Sequence, residues 1–547
     1  MSFSVKPVII FMLLTVLPVN ITTAEEDREA LRIAVENLLQ AGQLHIGDVD
    51  IASGELLAEF YERRDYAPVW AANDKVAELL QLIMATEKDG LDPSDYHLDA
   101  VRDIQSSLTA GRINTAAEIT DADLILTDSL IRLGYHQRFG KVNPYSLDPH
   151  WNFRRELNGK NPAVSLQEAF DADSFAGYLE TVFPRGWVYM QLRDGLARYR
   201  EIEARGGWPE IPDGPTLRPG AADSRLATLQ QRLTISGDME NAQSSAPITE
   251  YDEALQTGVR RFQKRHGLDS DAIIGPATIK ALNVSAEQRV RQLEINLERA
   301  RWVLDDIEDD FVLVNIAGFR VYLMRDRKIA WESKVQVGKT YHQSPVFRDE
   351  MKYLVFNPTW TVPYSIASKE MLPAIQADPE YFQKRDFDVK NRNGELIDPT
   401  TVDWSSVTRR NFGYTLVQRP GPANALGRVK FMFPNKHAVY LHDTPSKYLF
   451  EKSERAFSHG CIRVEHPYEF AEILLGPDWD QDRIKATLDT KEITTVSMPK
   501  SLPVLLLYWT AVVSQNGDVF FYNDVYQRDQ NISAALDEPF RIELPDS

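Results

Sequence analysis

The spacing of hydrophobic residues divides the chain into regions of different structure. From about residue 25 to residue 210, apolar residues recur three and four positions apart, as in Leu31, Val35 and Leu38, which predicts amphipathic helices. One helix is expected over residues 121–139, ended by Gly140. No paired carboxylates or metal-ligand spacing stand out here, so residues 25–210 are interpreted as a helical scaffold domain.

A second helical segment follows a linker rich in glycine and proline at residues 211–220. A last short helix is predicted to open at Gly275-Pro276, because proline is favoured at the first position of a helix. Two sets of apolar residues define the two helices before it, namely Leu226, Leu229 and Leu233, then Leu255, Val259 and Phe262. Residues 215–285 are therefore predicted to form a compact three-helix domain.

From about residue 310 the hydrophobic period changes from that of a helix to that of a strand. The run FVLVNIAGFRVYLMRDRKIAWESKVQVG alternates and is rich in Val, Ile, Tyr and Phe, which predicts antiparallel strands. Further strands are expected at residues 351–356, 429–433 and 438–441, with a final hairpin of 504–513 and 519–522 around Asn516-Gly517. Residues 306–547 are thus predicted to be a mainly β domain.

One stretch interrupts this strand pattern. Residues 360–422 carry helical potential at 365–377 together with many aromatic and charged residues. We interpret the stretch as a helical insertion that can cover a site as a lid.

The N-terminus and the net charge restrict where the protein works and what it binds. Lys6 precedes an apolar run from Pro7 to Ile21, and Thr22 and Ala24 supply small residues, so residues 1–24 are predicted to be a signal peptide. An uncleaved membrane anchor is the alternative, and either interpretation exports the rest of the chain. The net charge of −19 lacks the basic footprint of a nucleic-acid-binding protein, so no nucleic acid is expected as a partner.

The candidate chemistry centres on Cys461, the only cysteine of the chain. A single cysteine in an exported protein cannot form an internal disulfide, which leaves a buried inert thiol, an intermolecular bridge or a reactive nucleophile. His459 and Gly460 precede it directly, and His442 lies 19 residues upstream. A thiol with a nearby imidazole is the arrangement that nucleophilic acyl transfer requires.

Two sets of motifs carry a resemblance to known families. His442 followed by Ser458-His459-Gly460-Cys461 resembles the signature of the YkuD-type L,D-transpeptidase catalytic domain, although Arg463 occupies the place of its final Asn. The three-helix segment resembles a peptidoglycan-binding module, with Asp271-Ala272 in place of the usual Asp-Gly; the matching residues are Phe262-Gln263, Gly267-Leu268, Ile274-Gly275, Thr278 and Ala281-Leu282. Together they resemble the large murein L,D-transpeptidases of Gram-negative bacteria, which also carry a helical scaffold and a capping insertion. The resemblance implies that the catalytic domain at residues 306–547 is a YkuD-like β-sandwich.

Each candidate catalytic residue has an expected role. Cys461 is the predicted nucleophile and His442 the general base, later the general acid. The turn is expected to offer the N–H groups of Gly460 and Cys461 to an oxyanion, with Gly460 permitting a close approach that a side chain would block. The resemblance implies that the backbone carbonyl of Asp443, and not its carboxylate, orients His442. His459 is expected to support the turn or the substrate.

Candidate substrate-binding residues are expected around the thiol. Substrate carboxylates require cations, and Arg463 is the preferred candidate among the nearby basic residues, which also include Arg419, Arg428, Lys430 and Arg455. Ser458, Tyr440 and Trp360 complete the predicted substrate-binding set, although aromatic residues on strands more often belong to a core.

The resemblance implies a periplasmic enzyme that forms 3→3 peptidoglycan cross-links through a Cys461 thioester and that carbapenems acylate. Its expected partners are stem peptides and glycan of peptidoglycan, with cell-wall synthesis proteins and a wall-anchored lipoprotein left open; no cofactor or metal is expected. Three alternatives stand beside it. One is hydrolysis of the same thioester, as in a carboxypeptidase or endopeptidase, and another is a non-catalytic wall-binding scaffold. The third is a zinc site drawn from His437, His442, His459, Cys461 and His466.

Overall fold

The computed structural model describes residues 23–41, 44–70, 73–148, 151–153, 159–183, 185–240, 250–303 and 307–542. Residues 1–22 of the predicted signal peptide lie outside these ranges. None of the helices within the described ranges is long and apolar enough to cross a membrane.

The N-terminal domain is helical, as the periodicity predicts, and is built around helix α5 (Ala116–Phe139). This helix starts five residues before the predicted position, because Thr115 and Glu118 form a capping box, and it ends at Gly140. A short hairpin, β1 (Leu44–Ile46) and β2 (Val49–Ile51), was not predicted. The other helices are α1 (Thr23–Ala41), α2 (Gly54–Arg63), α3 (Asn73–Ala85), α4 (Leu98–Thr109), α6 (Pro144–Leu147), α7 (Pro162–Asp171), α8 (Phe175–Val182) and α9 (Trp187–Ala204).

The predicted three-helix domain is present, but the linker before it belongs to the same folded unit. Its helices are α10 (Leu226–Ile235), α11 (Glu253–Arg265) and α12 (Pro276–Leu282). Ile211 and Leu217 of the predicted linker are only 2% and 4% exposed and pack into the core of this domain. Leu217 also exchanges backbone hydrogen bonds with Ile274. Apolar side chains in the linker thus fold it onto the helices.

Helix α13 (Ala286–Val303), which the sequence analysis did not identify, holds the N-terminal and β domains together. Glu298 on this helix is fully buried, accepts the backbone N–H of Val142 at 2.7 Å and pairs with Arg301 at 2.6 Å. Asn296 donates to Thr510 of the β domain at 2.9 Å. Because α13 is buried on several faces, its apolar residues do not form the single stripe that identifies a surface helix.

The C-terminal domain is mainly β, as predicted, and its principal strands form one ladder that closes on itself. The order is β13-β5-β14-β12-β11-β6-β15-β3-β4, and β4 also pairs with β5. The strands are β3 (Phe311–Asn315), β4 (Arg320–Arg325), β5 (Lys328–Gly338), β6 (Phe347–Phe356), β11 (Val429–Met432), β12 (Leu441–His442), β13 (Ala456–Ser458), β14 (Ile462–Val464) and β15 (Thr494–Leu507). Alternate side chains fill a common core inside this ring.

The run at residues 311–338 forms the antiparallel strands that its sequence predicts, because β4 pairs antiparallel with both β3 and β5. The ladder also contains parallel pairs, namely β12 with β14, β13 with β5, and β15 with β3. The predicted strand at residues 504–513 is divided. Its first half belongs to β15 in the large ladder, and only β16 (Ala511–Val513) pairs with β17 (Val519–Phe521) in the hairpin. Helices α17 (Pro467–Leu475), α18 (Gln481–Asp489) and α19 (Asp529–Leu536) complete the domain.

The insertion at residues 360–422 contains the helical segment predicted at residues 365–377, but it is a small α/β unit and not purely helical. It has its own four-stranded sheet, in the order β7-β10-β8-β9, and its own apolar cluster. The strands are β7 (Trp360–Thr361), β8 (Phe387–Lys390), β9 (Leu396–Ile397) and β10 (Thr415–Gln418). The helices are α14 (Tyr364–Ile366), α15 (Leu372–Ala377) and α16 (Tyr381–Lys384), with a π-helical turn Ala367–Met371 between the first two.

Candidate active site

Strand register places four polar side chains in one row across the sheet. Lys430 of β11 lies opposite His442 of β12, His442 lies beside Arg463 of β14, and Arg463 lies opposite Gln336 of β5. Paired residues of neighbouring strands point to the same face. Their neighbours Phe431, Leu441 and Ile462 are fully buried on the core face. Because alternation has a period of two, the polar row faces away from the core.

Tyr440 and Cys461 extend this face, since each lies two residues before a member of the row. The ladder continues past the strand ends, because Ile462 N–H donates to the Tyr440 carbonyl oxygen at 3.1 Å. The Cys461 Sγ lies 3.8 Å from the carbonyl oxygen of Ala438. The Lys430 ammonium lies 3.8 Å from the centre of the Tyr440 ring. The thiol therefore shares one face with an imidazole, two cations and a phenol.

His442 is fixed in orientation by the residue that follows it. The side chain is only 3% exposed, and its Nδ1 lies 2.5 Å from the carbonyl oxygen of Asp443. A carbonyl oxygen can only accept, so Nδ1 carries the proton and Nε2 is left as the basic nitrogen.

The Asp443 carboxylate holds the chain around His442 in place, whereas the backbone carbonyl of the same residue orients the His442 ring. It accepts the backbone N–H of Arg428 at 2.9 Å and the Tyr468 hydroxyl at 3.1 Å, and it pairs with Lys447 at 2.6 Å. A Cβ on Gly427 would lie 2.4 Å from this carboxylate, so only glycine fits there. The carbonyl that orients His442 is thus held by contacts of its own side chain.

Ser458 closes the turn that carries Cys461. Its hydroxyl accepts the N–H of Gly460 at 3.1 Å and donates to the carbonyl oxygen of Cys461 at 2.6 Å. Ser344 supports the same turn from beneath by donating to the Gly460 carbonyl at 2.7 Å. Ser458 is only 2% exposed, so the structure gives it a place inside the turn and not the substrate contact expected from the sequence.

Gly460 is required for its backbone angle and not for the reason the sequence suggests. Its φ is +111°, in the region that favours glycine, whereas a Cβ there would meet its nearest neighbour, the Gln343 carbonyl oxygen, at an ordinary 3.7 Å. Its N–H is also already donated to Ser458, so it is not free to serve an oxyanion as expected.

Burial keeps both reactive groups neutral at rest. It raises the pKa of the Cys461 thiol above its ordinary value, and this outweighs the opposite effects of hydrogen bonds from Tyr440 and of the charges of Lys430 and Arg463. Burial also lowers the pKa of His442 to about 3, with a further contribution from the charge of Arg463. A neutral thiol and a neutral imidazole thus lie on the same face of the sheet.

The remaining predicted residues occupy distinct places. His459 contacts the insertion, where its Nε2 lies 2.8 Å from a Glu370 oxygen. Trp360 packs within the insertion, 6.3 Å from the Phe387 ring. Arg463 donates to Gln336 at 3.1 Å in the polar row. The other predicted cations divide: Lys430 lies beside the thiol, whereas Arg419 pairs with Asp388, Arg428 binds the carbonyl of Leu488, and Arg455 binds those of Val335 and Phe319.

The five residues of the zinc alternative do not come together. Within the described ranges, the group of potential metal ligands that does gather includes His459 but not His437, His442, Cys461 or His466.

The sequence analysis also missed Gln336, Ser344 and Glu370, which reach the site from strands and loops 89 or more residues away in the chain. No local motif marks such residues, because the register of distant strands brings them together.

Comparison with known protein families finds three matching regions in the chain. Residues 309–496 match a model described as "L,D-transpeptidase catalytic domain", residues 223–282 one described as "Putative peptidoglycan binding domain", and residues 55–196 one described as "Scaffold domain". Three regions of the chain are therefore similar, in chain order, to a scaffold domain, a peptidoglycan-binding domain and an L,D-transpeptidase catalytic domain.

Individual relatives show the same likeness over part of the chain. A protein of Haemophilus influenzae named "Putative L,D-transpeptidase" is 34% identical over 253 residues, which is 46% of this chain and 51% of the relative. The chain thus spans about half the length of that curated relative. A solved L,D-transpeptidase from Xylanimonas cellulosilytica is 15% identical, with a TM-score of 0.18, covering 55% of this chain and 100% of that one. A score this low adds nothing to the fold described above.

Proposed function

We propose that this protein is a cysteine-dependent murein L,D-transpeptidase that forms 3→3 cross-links between peptidoglycan stem peptides outside the inner membrane. The observation that carries the proposal is the shared face of Cys461 and His442, with Nδ1 of His442 held by a backbone carbonyl and Nε2 left basic. The peptidoglycan-binding domain supports the same substrate class.

In the proposed first step, the Cys461 sulfur attacks the carbonyl carbon that precedes the terminal D-alanine of a donor stem peptide. The thiol proton passes to Nε2 of His442 as the C–S bond forms. The imidazolium then gives this proton to the departing amine of D-alanine as the C–N bond breaks, which leaves a thioester. Neutral resting groups suit this order, because no ion pair has to be desolvated before the substrate arrives.

In the second step, an amine of an acceptor stem peptide, proposed to be that of diaminopimelate, attacks the thioester. His442 takes a proton from this amine and returns it to the sulfur, so that the free thiol is restored and a new amide links the two stems. The N–H of Cys461 is the proposed oxyanion donor, because that of Gly460 is engaged. Lys430 and Arg463 are the proposed partners of substrate carboxylates, because both share the face of the thiol.

The test is muropeptide analysis with purified protein and disaccharide-tetrapeptides. We expect cross-linked dimers and free D-alanine from the wild type and neither from Cys461→Ala, with unchanged circular dichroism. A carbapenem is expected to add its mass at Cys461 alone. Dimers formed by Cys461→Ala, or an adduct on another residue, would refute the nucleophile assignment. Free tripeptide as the main product would show that water, and not an amine, resolves the thioester.

A further inference from the structure

Three potential metal ligands from separate parts of the chain meet at the edge of the catalytic turn. His342 lies in the loop after β5, Glu370 lies in the π-helical turn of the insertion, and His459 lies two residues before Cys461. All three have solvent access. None of the catalytic steps proposed above uses this group.

The side chains are already close to ligand geometry. The Nε2 of His459 lies 2.8 and 3.1 Å from the two Glu370 carboxylate oxygens, and the His342 and His459 ring centres are 5.0 Å apart. One ligand atom from each residue lies within 4.8 Å of the others. A tetrahedral zinc ion with bonds of about 2.1 Å places its ligand atoms about 3.4 Å apart. No separation therefore has to close by more than about 1.4 Å, which a turn of the exposed His342 ring can supply.

His459 and Glu370 lie in backbone segments of different kinds. His459 follows the buried Ser458, whose hydrogen bonds close the catalytic turn. Glu370 lies in a π-helical turn, a distortion that re-aims side chains and often occurs at functional sites. In the described structure, its contact with His459 is a direct contact between the insertion and this turn.

We propose that His342, Glu370 and His459 bind a divalent transition-metal ion, with zinc as the best-fitting example, and that the bound ion fastens the insertion to the catalytic turn. Two imidazoles and one carboxylate form a ligand set that zinc accepts, with a fourth position left for water. Magnesium and calcium prefer oxygen ligands only, so this group discriminates against them. The metal would act next to the nucleophile without contacting it.

The first experiment measures metal binding without any reaction. Zinc chloride is titrated calorimetrically into the full chain carrying Cys461→Ser, which removes the competing thiol ligand. We expect one zinc ion per chain, and affinity at least about 10-fold weaker after His342→Ala or Glu370→Gln, because even loss of a residue that only supports a metal ligand costs about that much. Magnesium chloride is expected to give no binding.

The matched control is His466→Ala, which removes another histidine that lies 3.5 Å from a glutamate in the same domain but outside the group. Its zinc affinity is expected to equal that of the parent. Absence of binding to the Cys461→Ser chain would overturn the proposal, because it would assign any wild-type binding to the thiol. Equal affinity in the parent, His342→Ala and Glu370→Gln chains would overturn it as well. Melting temperatures of all variants are compared to confirm that they fold.

The second experiment tests the fastening. Hydrogen exchange in residues 360–422 is followed by mass spectrometry with and without zinc. Slower exchange with zinc in the Cys461→Ser chain, absent in the chain that also carries Glu370→Gln, supports the proposal. Zinc binding that leaves this exchange unchanged would refute the fastening. Neither experiment requires transpeptidation, so failure of the proposed function leaves both outcomes interpretable.

Discussion

Replacing Ser458 by alanine tests whether a single buried hydroxyl positions Cys461, the proposed nucleophile. The change removes two hydrogen bonds at once, one from the Gly460 N–H and one to the Cys461 carbonyl oxygen. A buried polar group left without a partner costs about 1–3 kcal/mol, and Ser458 is only 2% exposed, so the loss of both partners is expected to destabilise the turn by about 2–6 kcal/mol.

This loss of stability in the turn should lower the rate of the chemical step. A displacement of about 1 Å between reacting atoms can cost about 100-fold in rate. We therefore expect kcat for dimer formation to fall by about 30-fold or more, which corresponds to about 2 kcal/mol. The assay is the rate of D-alanine release at saturating donor peptide. Ser458→Thr keeps the hydroxyl and is expected to recover most of the rate.

The matched control is Ser333→Ala. Ser333 is 3% exposed in the same domain, and within the described ranges its hydroxyl has no hydrogen-bond partner, so its removal should change kcat and melting temperature little. The reasoning is refuted if Ser458→Ala retains the wild-type kcat. It is also refuted if Ser333→Ala lowers kcat to the same extent, because the loss would then reflect any buried serine.

Three further outcomes are expected. The His442 pKa of about 3 lies below the value of about 6.5 for the unfolded chain, so the unfolded state binds the proton first as pH falls. The wild type should lose about 3 kcal/mol more unfolding free energy than His442→Gln between pH 7 and pH 4 in urea titrations; parallel curves would contradict this. Lys430→Met should slow iodoacetamide alkylation of Cys461 at pH 8.5 several-fold, because a cation that favours the thiolate is lost, whereas the exposed Lys436→Met should not. Arg463→Gln should raise KM for the donor peptide at least several-fold with an unchanged melting temperature; an unchanged KM would remove this residue from substrate binding.

The sequence predicted the fold where local signals dominate. Helix α5 was recognisable because its interior is regular and Gly140 ends it, and the change to a period of two marked the β domain. Helix α13 escaped recognition because buried charges such as Glu298 lie on it, which breaks the apolar stripe. The division of the strand at residues 504–513 depends on pairing with β3, and no local residue encodes that choice.

The candidate site was predictable to the extent that it lies in one stretch. Cys461, His442 and the turn between them are close in sequence, so their chemistry could be proposed from spacing. The roles of Ser458 and Gly460 could not be predicted from spacing, because they depend on one hydrogen bond and one backbone angle. Glu370 reaches His459 only through the fold of the insertion, whose sheet was itself not predicted.

The contacts of the three-helix domain have a consequence for geometry. Arg265 of α11 donates to the carbonyl oxygen of Val519, and Arg261 pairs with Asp518 at 2.8 Å, so this domain rests directly on the β16–β17 hairpin. The distance from this domain to Cys461 is therefore set by folding and not by a flexible tether. If glycan binds to this domain, Cys461 would meet only the stem peptides that lie at one fixed distance from the bound glycan. The fold would then set the spacing of cross-links along a glycan strand.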